Sequence, residues 1–267
     1  MGSTPPAGSA SLQAVRTRHP CRTVRLDGLD WRIRDTGGGV ALVLLPGSLG
    51  NADIFCHQLL ALPPRVRCIT VDYPDAPDAA LADGLAGLLD ALGLGPACLL
   101  GSSLAGNWLQ AFGARHPGRV AALVLANTFC DSLDLREHPL FSVPMLRAVA
   151  GDVLKAEWLA RLESREPDEL RDMQIQLLRD GQAGESLRRR LLAAATAPPA
   201  PAMPHRQFPV AAIDCEDDPI LSARTRAAVA GRYPTARRLT LPAGGHYPHV
   251  TQAGAYNSFV ESVLPGA

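Results

Sequence analysis

The stretch Ala97-Cys98-Leu99-Leu100-Gly101-Ser102-Ser103-Leu104-Ala105-Gly106 decides how the rest of the chain is read. Ala97 to Leu100 is an unbroken apolar run of the kind that fills a strand buried on both faces. Leu104 to Arg115 carries apolar residues at spacings of three and four, the pattern of a helix with one buried stripe. Between them lies only Gly101-Ser102-Ser103-Leu104-Ala105, a G-x-S-x-A turn. A strand-to-helix turn that sharp needs small residues around the serine. It lifts the Ser103 hydroxyl clear of the sheet and beside the helix N-terminus, as a nucleophile requires. In a chain rich in Gly and Ala the motif alone also fits an ordinary helix cap, so its partners must decide.

Working outward, similar apolar runs recur at Val40 to Leu45, Val66 to Val71 and Ala122 to Ala126, with helical patterns at Ala52 to Leu62 and Ala79 to Leu92 between them. Alternating strands and helices predict a mostly parallel, doubly wound α/β sheet with helices on both faces. Ahead of it, Thr23 to Leu26 and Trp31 to Asp35 alternate around Asp27-Gly28, a hairpin signal at the sheet edge. From Asp131 to His205 the strand signal stops, and a charged, helix-prone stretch predicts a helical cap insertion over residues 131–205. Strand patterns resume at Val210 to Ile213 and Arg238 to Leu241, with helices expected over Ser222 to Gly231 and Gln252 to Val263. The expected domain plan is a core of residues 21–130 and 206–267, with residues 1–20 as a disordered leader, since Met1 to Pro20 is rich in Ser, Pro, Ala and Gly.

Composition excludes several classes. Lys+Arg and Asp+Glu both number 26 in 267 residues. The formal net charge is therefore zero, and no basic field exists to hold nucleic acid. The six cysteines are scattered, without the spacing of a zinc site or a small disulfide framework, and read as free thiols. No apolar run approaches the length of a membrane span and the leader has no signal-peptide core, so a soluble, cytoplasmic protein without membrane partners is expected. The oligomeric state is left open.

A serine hydroxyl is a weak nucleophile at neutral pH and needs a base within hydrogen-bonding reach. Of the seven histidines, His246 stands in the Gly-rich loop Ala243-Gly244-Gly245-His246-Tyr247-Pro248, just after the last strand, where it can reach over the sheet edge. His57 and His249 are rivals better suited to packing. The base in turn needs a carboxylate from the end of the preceding strand. Asp218, before Pro219, is the preferred acid, with Asp217 and Asp214 as alternatives. For the oxyanion of a tetrahedral intermediate, the backbone N–H groups of Leu104 and of Ser48, in the loop Leu45-Pro46-Gly47-Ser48-Leu49-Gly50, are the candidate donors.

With these motifs in the chain order Ser, Asp, His, the sequence resembles the α/β-hydrolase superfamily over nearly its whole length after the leader. Leu45 to Gly50 is similar to the family's oxyanion loop, with Pro46 where a histidine is usual. Cys215 to Ile220 is similar to its acid turn, with Cys215 where glycine is usual. Asp72-Tyr73-Pro74-Asp75 lacks the Arg-Gly that often follows that strand. Ala52 to Phe55, Asn127 to Ser132 and Tyr233 to Arg238 are similar to maspardin-type members, a group regarded as binding proteins with a degraded triad. Here the Ser103, Asp218 and His246 positions are all occupied by residues able to react. The resemblance implies a serine hydrolase of esterase type, acting on a small-molecule ester or acyl substrate with no metal or organic cofactor. A non-enzymatic maspardin-like binding role and a cofactor-free lyase or haloperoxidase are the competing readings.

Overall fold

The computed structural model describes residues 9–74, 76, 78–181, 183–203 and 208–266. The chain opens with helix α1 (Ala10–Arg18), followed by strands β1 (Arg22–Leu26), β2 (Leu29–Asp35) and β3 (Val40–Leu45). Then come a 3₁₀ turn (Ala52–Phe55), α2 (Cys56–Ala61), β4 (Val66–Asp72), α3 (Asp78–Ala91), β5 (Ala97–Ser102), α4 (Leu104–Arg115) and β6 (Val120–Ala126). Four helices follow, α5 (Val143–Ala148), α6 (Gly151–Glu163), α7 (Glu169–Gly181) and α8 (Gly184–Thr196). The chain closes with β7 (Val210–Cys215), α9 (Ala223–Arg232), β8 (Arg237–Leu241), α10 (Pro248–Thr251) and α11 (Ala253–Val263).

The eight strands form one sheet in the order β1-β2-β4-β3-β5-β6-β7-β8. β1 pairs β2 and β2 pairs β4 antiparallel, while β4, β3, β5, β6, β7 and β8 run parallel to one another. The Asp27-Gly28 turn has φ of 48° and 79°, the two positive values that a two-residue hairpin matched to the strand twist needs. Because β4 lies on one side of β3 and β5 on the other, the chain switches direction across β3. The loops after β3 and β5 therefore part at the C-terminal sheet edge and leave a crevice.

Alternation along each strand divides the core between the faces. Leu42, Leu44, Leu100 and Val124 point to one face, where they pack with Leu12 of α1, Leu59 of α2, Leu187 of α8 and Val260 of α11. Val43, Leu45, Leu99 and Leu123 point to the other, against Leu85 of α3, Leu109 of α4 and Val229 of α9. The helices between β6 and β7 belong to the first cluster: Leu154, Leu162, Met173, Leu178 and Leu191 are buried in it. Their apolar stripes pack chiefly on one another, α6 on α7 and α8, and α5 on α8, each fully buried leucine contributing about 1.5–3 kcal/mol.

One expectation is corrected. Residues 1–8 lie outside the described residues, but 10–18 form α1 rather than a disordered leader. Leu12 and Val15, three apart and so on one helix face, are completely buried. Arg16 pairs with Asp53 at 3.0 Å and with Asp180 at 3.0 Å. The leader's polar, Pro-rich beginning masked a short amphipathic turn whose stability comes from tertiary packing. The end of the expected cap, His205, lies outside the described residues. Among the described residues no helix is long and apolar enough to cross a membrane, and the six cysteines are unpaired thiols.

Candidate active site

Ser103 stands between β5 and α4 with φ 54° and ψ −119°, a conformation that a non-glycine residue holds only when its surroundings impose it. Its amide donates to Ala126 O at 2.9 Å, and its carbonyl accepts from Thr128 Oγ1 at 2.6 Å, so β6 and the loop just after it fix the turn on both sides. Gly101 makes the turn possible: a Cβ there would come within 2.6 Å of the Ala105 and Gly106 backbone. The first N–H groups of α4, beginning with Leu104, have no intrahelical acceptor and lie beside Ser103.

His246 follows β8 in the loop whose Gly244 and Gly245 have φ of 153° and 62°. Its Nδ1 lies 2.8 Å from Asp218 Oδ2 and 3.1 Å from Oδ1. The Asp218 carboxylate is sealed from solvent and its remaining acceptor capacity is filled. Oδ1 accepts from the Ile220 and Leu221 amides at 2.8 and 3.0 Å, and Oδ2 accepts from Asn127 Nδ2 at 2.8 Å. Burial pushes this carboxyl up, but the adjacent His246 and the donated hydrogen bonds outweigh it and hold the group at about 2.

The alternative acids have other tasks. Asp217 accepts from the Gly244 and Gly245 amides at 3.1 and 2.8 Å and so ties down the histidine loop. Asp214 faces Arg226 at 3.9 Å. Of the three carboxylates, Asp218 is the one that meets His246. Of the rival histidines, His57 lies 3.3 Å from Glu169. His249 is buried against Phe55 and Tyr256; burial, followed by the nearby His246 and His57, lowers its ring to about 3.

Ser103 and His246 open into one cavity of about 20 Å³, which Gly47 and Ser48 also line. Leu140, Phe141, Trp158 and Leu191 close it from the segment between β6 and β7. Gly47 approaches so closely that a Cβ there would sit 2.8 Å from Ser103 Cβ. A larger cavity of about 660 Å³ opens at the opposite end of β6 and β7, beside Phe208 and Tyr233. Of the two, only the smaller one has a strained serine and a carboxylate-bound histidine in one wall. Among the described residues no three His, Cys, Asp or Glu side chains are grouped to hold a metal ion.

The structure thus brings together Ser103, His246 and Asp218, with Ser48 in the loop after β3 and Leu104 at the start of α4 beside the serine. Asn127 was not singled out as a site residue from the sequence. Its φ of 41° and its bonds to Asp218 and to Gly245 O at 3.2 Å place it between the acid and the histidine loop. The sequence signal for it was only an asparagine just past the apolar run of β6, a position where asparagine tolerates the left-handed conformation.

A fold built this way, with a serine elbow after β5 and a histidine–carboxylate pair after β7 and β8, is that of an α/β hydrolase. The model of the alpha/beta hydrolase family matches residues 42–259, and the chain belongs to that family. It is 29% identical to human maspardin, over 91% of this chain and 82% of maspardin. It is also 27% identical to the putative carbamate hydrolase RutD of Caulobacter vibrioides, over 91% of this chain and 97% of that protein. The crystal structure of a hydrolase from Pseudomonas aeruginosa superposes with a TM-score of 0.73 at 24% identity, covering 93% of this chain and 99% of the other. At that identity the likeness concerns the fold.

Proposed function

We propose that the protein is a serine hydrolase that cleaves an ester or related acyl bond of a small molecule. The observation that carries this reading is the buried 2.8 Å contact of His246 Nδ1 with Asp218, in a cavity shared with a serine held at φ 54°. With Nδ1 engaged by the carboxylate, the free Nε2 can take the proton from Ser103 Oγ as Oγ attacks the substrate carbonyl. The carbonyl π electrons move onto oxygen, and the Ser48 and Leu104 amides hold that oxyanion. Collapse expels the alcohol, which leaves with the proton from His246. Water, deprotonated by His246, then attacks the acyl-enzyme and releases the acid and Ser103. Apolar walls from Leu140, Phe141, Trp158 and Leu191 favour an uncharged acyl group. The carbamate named for the Caulobacter relative would offer the same trigonal carbonyl. Six unpaired thiols suit a reducing compartment, which supports a cytoplasmic location.

A second reading, a non-catalytic binding role, is favoured by the small size of the cavity, about 20 Å³, room for about one water molecule. Treatment of the protein and its Ser103→Ala variant with a fluorophosphonate probe, with adducts located by peptide mass spectrometry and p-nitrophenyl acetate turnover measured in parallel, separates the two. Labelling at Ser103 with ester turnover is expected. A folded protein that neither labels nor turns over the ester would sink the hydrolase reading.

A further inference from the structure

The loop after β3 is gripped from two directions. From the core, the single O–H of Tyr73 is shared between Pro46 O at 3.1 Å and Gly47 O at 3.0 Å, and the Gly50 amide donates to the same Gly47 O at 2.9 Å. The peptide bonds are trans, so the N–H of Ser48 points opposite to the Gly47 carbonyl, away from Tyr73. From above, Arg190 on α8 donates through Nε to Ser48 O at 3.0 Å, while Ser48 Oγ reaches back to Arg190 O at 3.5 Å. The guanidinium lies flat against Gly50, where a Cβ would fall 2.2 Å from Arg190 Cζ. The two peptides that flank Ser48 are therefore anchored separately, one by the core and one by α8.

Arg190 is a costly way to make this contact. It is only 8% exposed, and its Nη2 is buried without a hydrogen-bond partner among the described residues. Burying a cation with an unsatisfied donor is unfavourable, and a neutral side chain of similar length would pack α8 against the loop without that cost. What a neutral aliphatic chain could not do is hold the Ser48 carbonyl. Arg190 is also one residue before Leu191, which lines the cavity beside Ser103. One turn of α8 thus both walls the cavity and holds the backbone of the loop that faces the nucleophile.

We propose that Arg190 is a positioning residue that couples the seating of α8 to the assembly of the oxyanion hole. This rests on the serine-hydrolase reading. With α8 docked, Ser48 is fixed between Tyr73 and Arg190 and its N–H is held for the oxyanion. With α8 lifted to admit substrate, one of the two restraints is lost and the donor is no longer fixed. Acyl transfer is then restricted to the closed, water-poor state.

The test compares wild type with Arg190→Met, Arg190→Gln and, as a control on an exposed ion pair of the neighbouring helix α7, Arg179→Ala. Each protein is assayed for p-nitrophenyl acetate turnover, inhibition by an alkyl trifluoromethyl ketone, fluorophosphonate labelling at Ser103 and thermal melting. For Arg190→Met, kcat is expected to fall by about 10- to 100-fold, with KM within about twofold, because the lost interaction acts on the transition state. The trifluoromethyl ketone, which forms a hemiketal oxyanion on serine, should lose affinity by a similar factor. Arg190→Gln, which keeps an amide NH₂ donor, should recover part of kcat, and Arg179→Ala should match wild type. Unchanged kcat in Arg190→Met, a loss confined to KM, or unchanged ketone affinity overturns the role of Arg190. If Arg190→Met does not fold, Arg190→Gln decides on the same readouts. Failure of the wild-type protein to label at Ser103 overturns the hydrolase reading itself, and this role with it.

Discussion

Asn127 and Asp218, 91 residues apart in the chain, are joined by a 2.8 Å hydrogen bond from Asn127 Nδ2 to Asp218 Oδ2. The same amide nitrogen lies 3.2 Å from Gly245 O, and the Asn127 backbone N–H donates to Ile213 O at 2.8 Å. One side chain at the end of β6 thus ties together the carboxylate after β7 and the loop that carries His246. Replacing Asn127 with Ala should cost about 1–3 kcal/mol of stability, the penalty for leaving a buried acceptor short of a donor. Ester turnover should fall by about tenfold as His246 loses its fixed placement. Urea unfolding and steady-state kinetics on the same preparation check both. If Asn127→Gly behaves like Ala, the lost bond rather than the strain at φ 41° is responsible.

Asp218 and Asp217 are adjacent in sequence yet engage different partners, and their amide variants should separate accordingly. Asp218→Asn offers His246 Nδ1 the wrong tautomer partner and should lower kcat by about 10⁴-fold, as in other triads. Asp217→Asn leaves the 2.8 Å His246–Asp218 contact in place and weakens only its hold on the Gly244 and Gly245 amides. It should cost about tenfold or less. Equal losses in the two variants would contradict the assignment of the acid.

Asp72 gives a pH signature in stability. Burial pushes its carboxyl up to about 6, with the Ala52 amide opposing. A folded pKa above the unfolded value stabilises the protonated form. That contribution is therefore complete below about pH 4 and fades as pH rises through about 6. Asp72→Asn should raise the melting temperature at pH 8 by roughly 2–4 °C, about 1 kcal/mol after allowing for its partial exposure, and should change little at pH 4. Melting curves at the two pH values check the sign.

Two glycines near Ser103 should fail in different ways. Gly101→Ala places a Cβ within 2.6 Å of the Ala105 and Gly106 backbone, which cannot yield without unwinding α4, so loss of folded protein is expected. Gly47→Ala meets the side chain of Ser103 at 2.8 Å. The expected result is a folded protein whose fluorophosphonate labelling is slowed by at least about tenfold. Circular dichroism together with labelling rates distinguishes them.

Much of the architecture was legible because it rests on local patterns. Apolar runs in β3, β4, β5 and β6 marked buried parallel strands, and Gly101-Ser102-Ser103-Leu104-Ala105 marked a turn that only small residues can make. Asp27-Gly28 marked a hairpin through its backbone freedom alone. The order Ser103, Asp218, His246 along the chain picked out the candidate site residues, because each follows the end of a recognisable strand.

Other features depended on contacts that no spacing encodes. Which of Asp214, Asp217 and Asp218 meets His246 depends on where two loops from neighbouring strands come together, since turning the acid loop by one residue exchanges its carboxylates. Helix α1 stayed hidden because its two core residues, Leu12 and Val15, are too few to show a period without the sheet face that receives them. Asn127 and Arg190 act on partners 91 and 142 residues away, and a side chain's polar partner is chosen by the packing around it. By itself the sequence determined which elements form and which residue types stand at their ends, because these follow from backbone sterics and apolar periodicity. Only the tertiary structure decided which polar groups face one another, because burial removes water as a partner and leaves each buried donor or acceptor dependent on what the fold brings within about 3 Å.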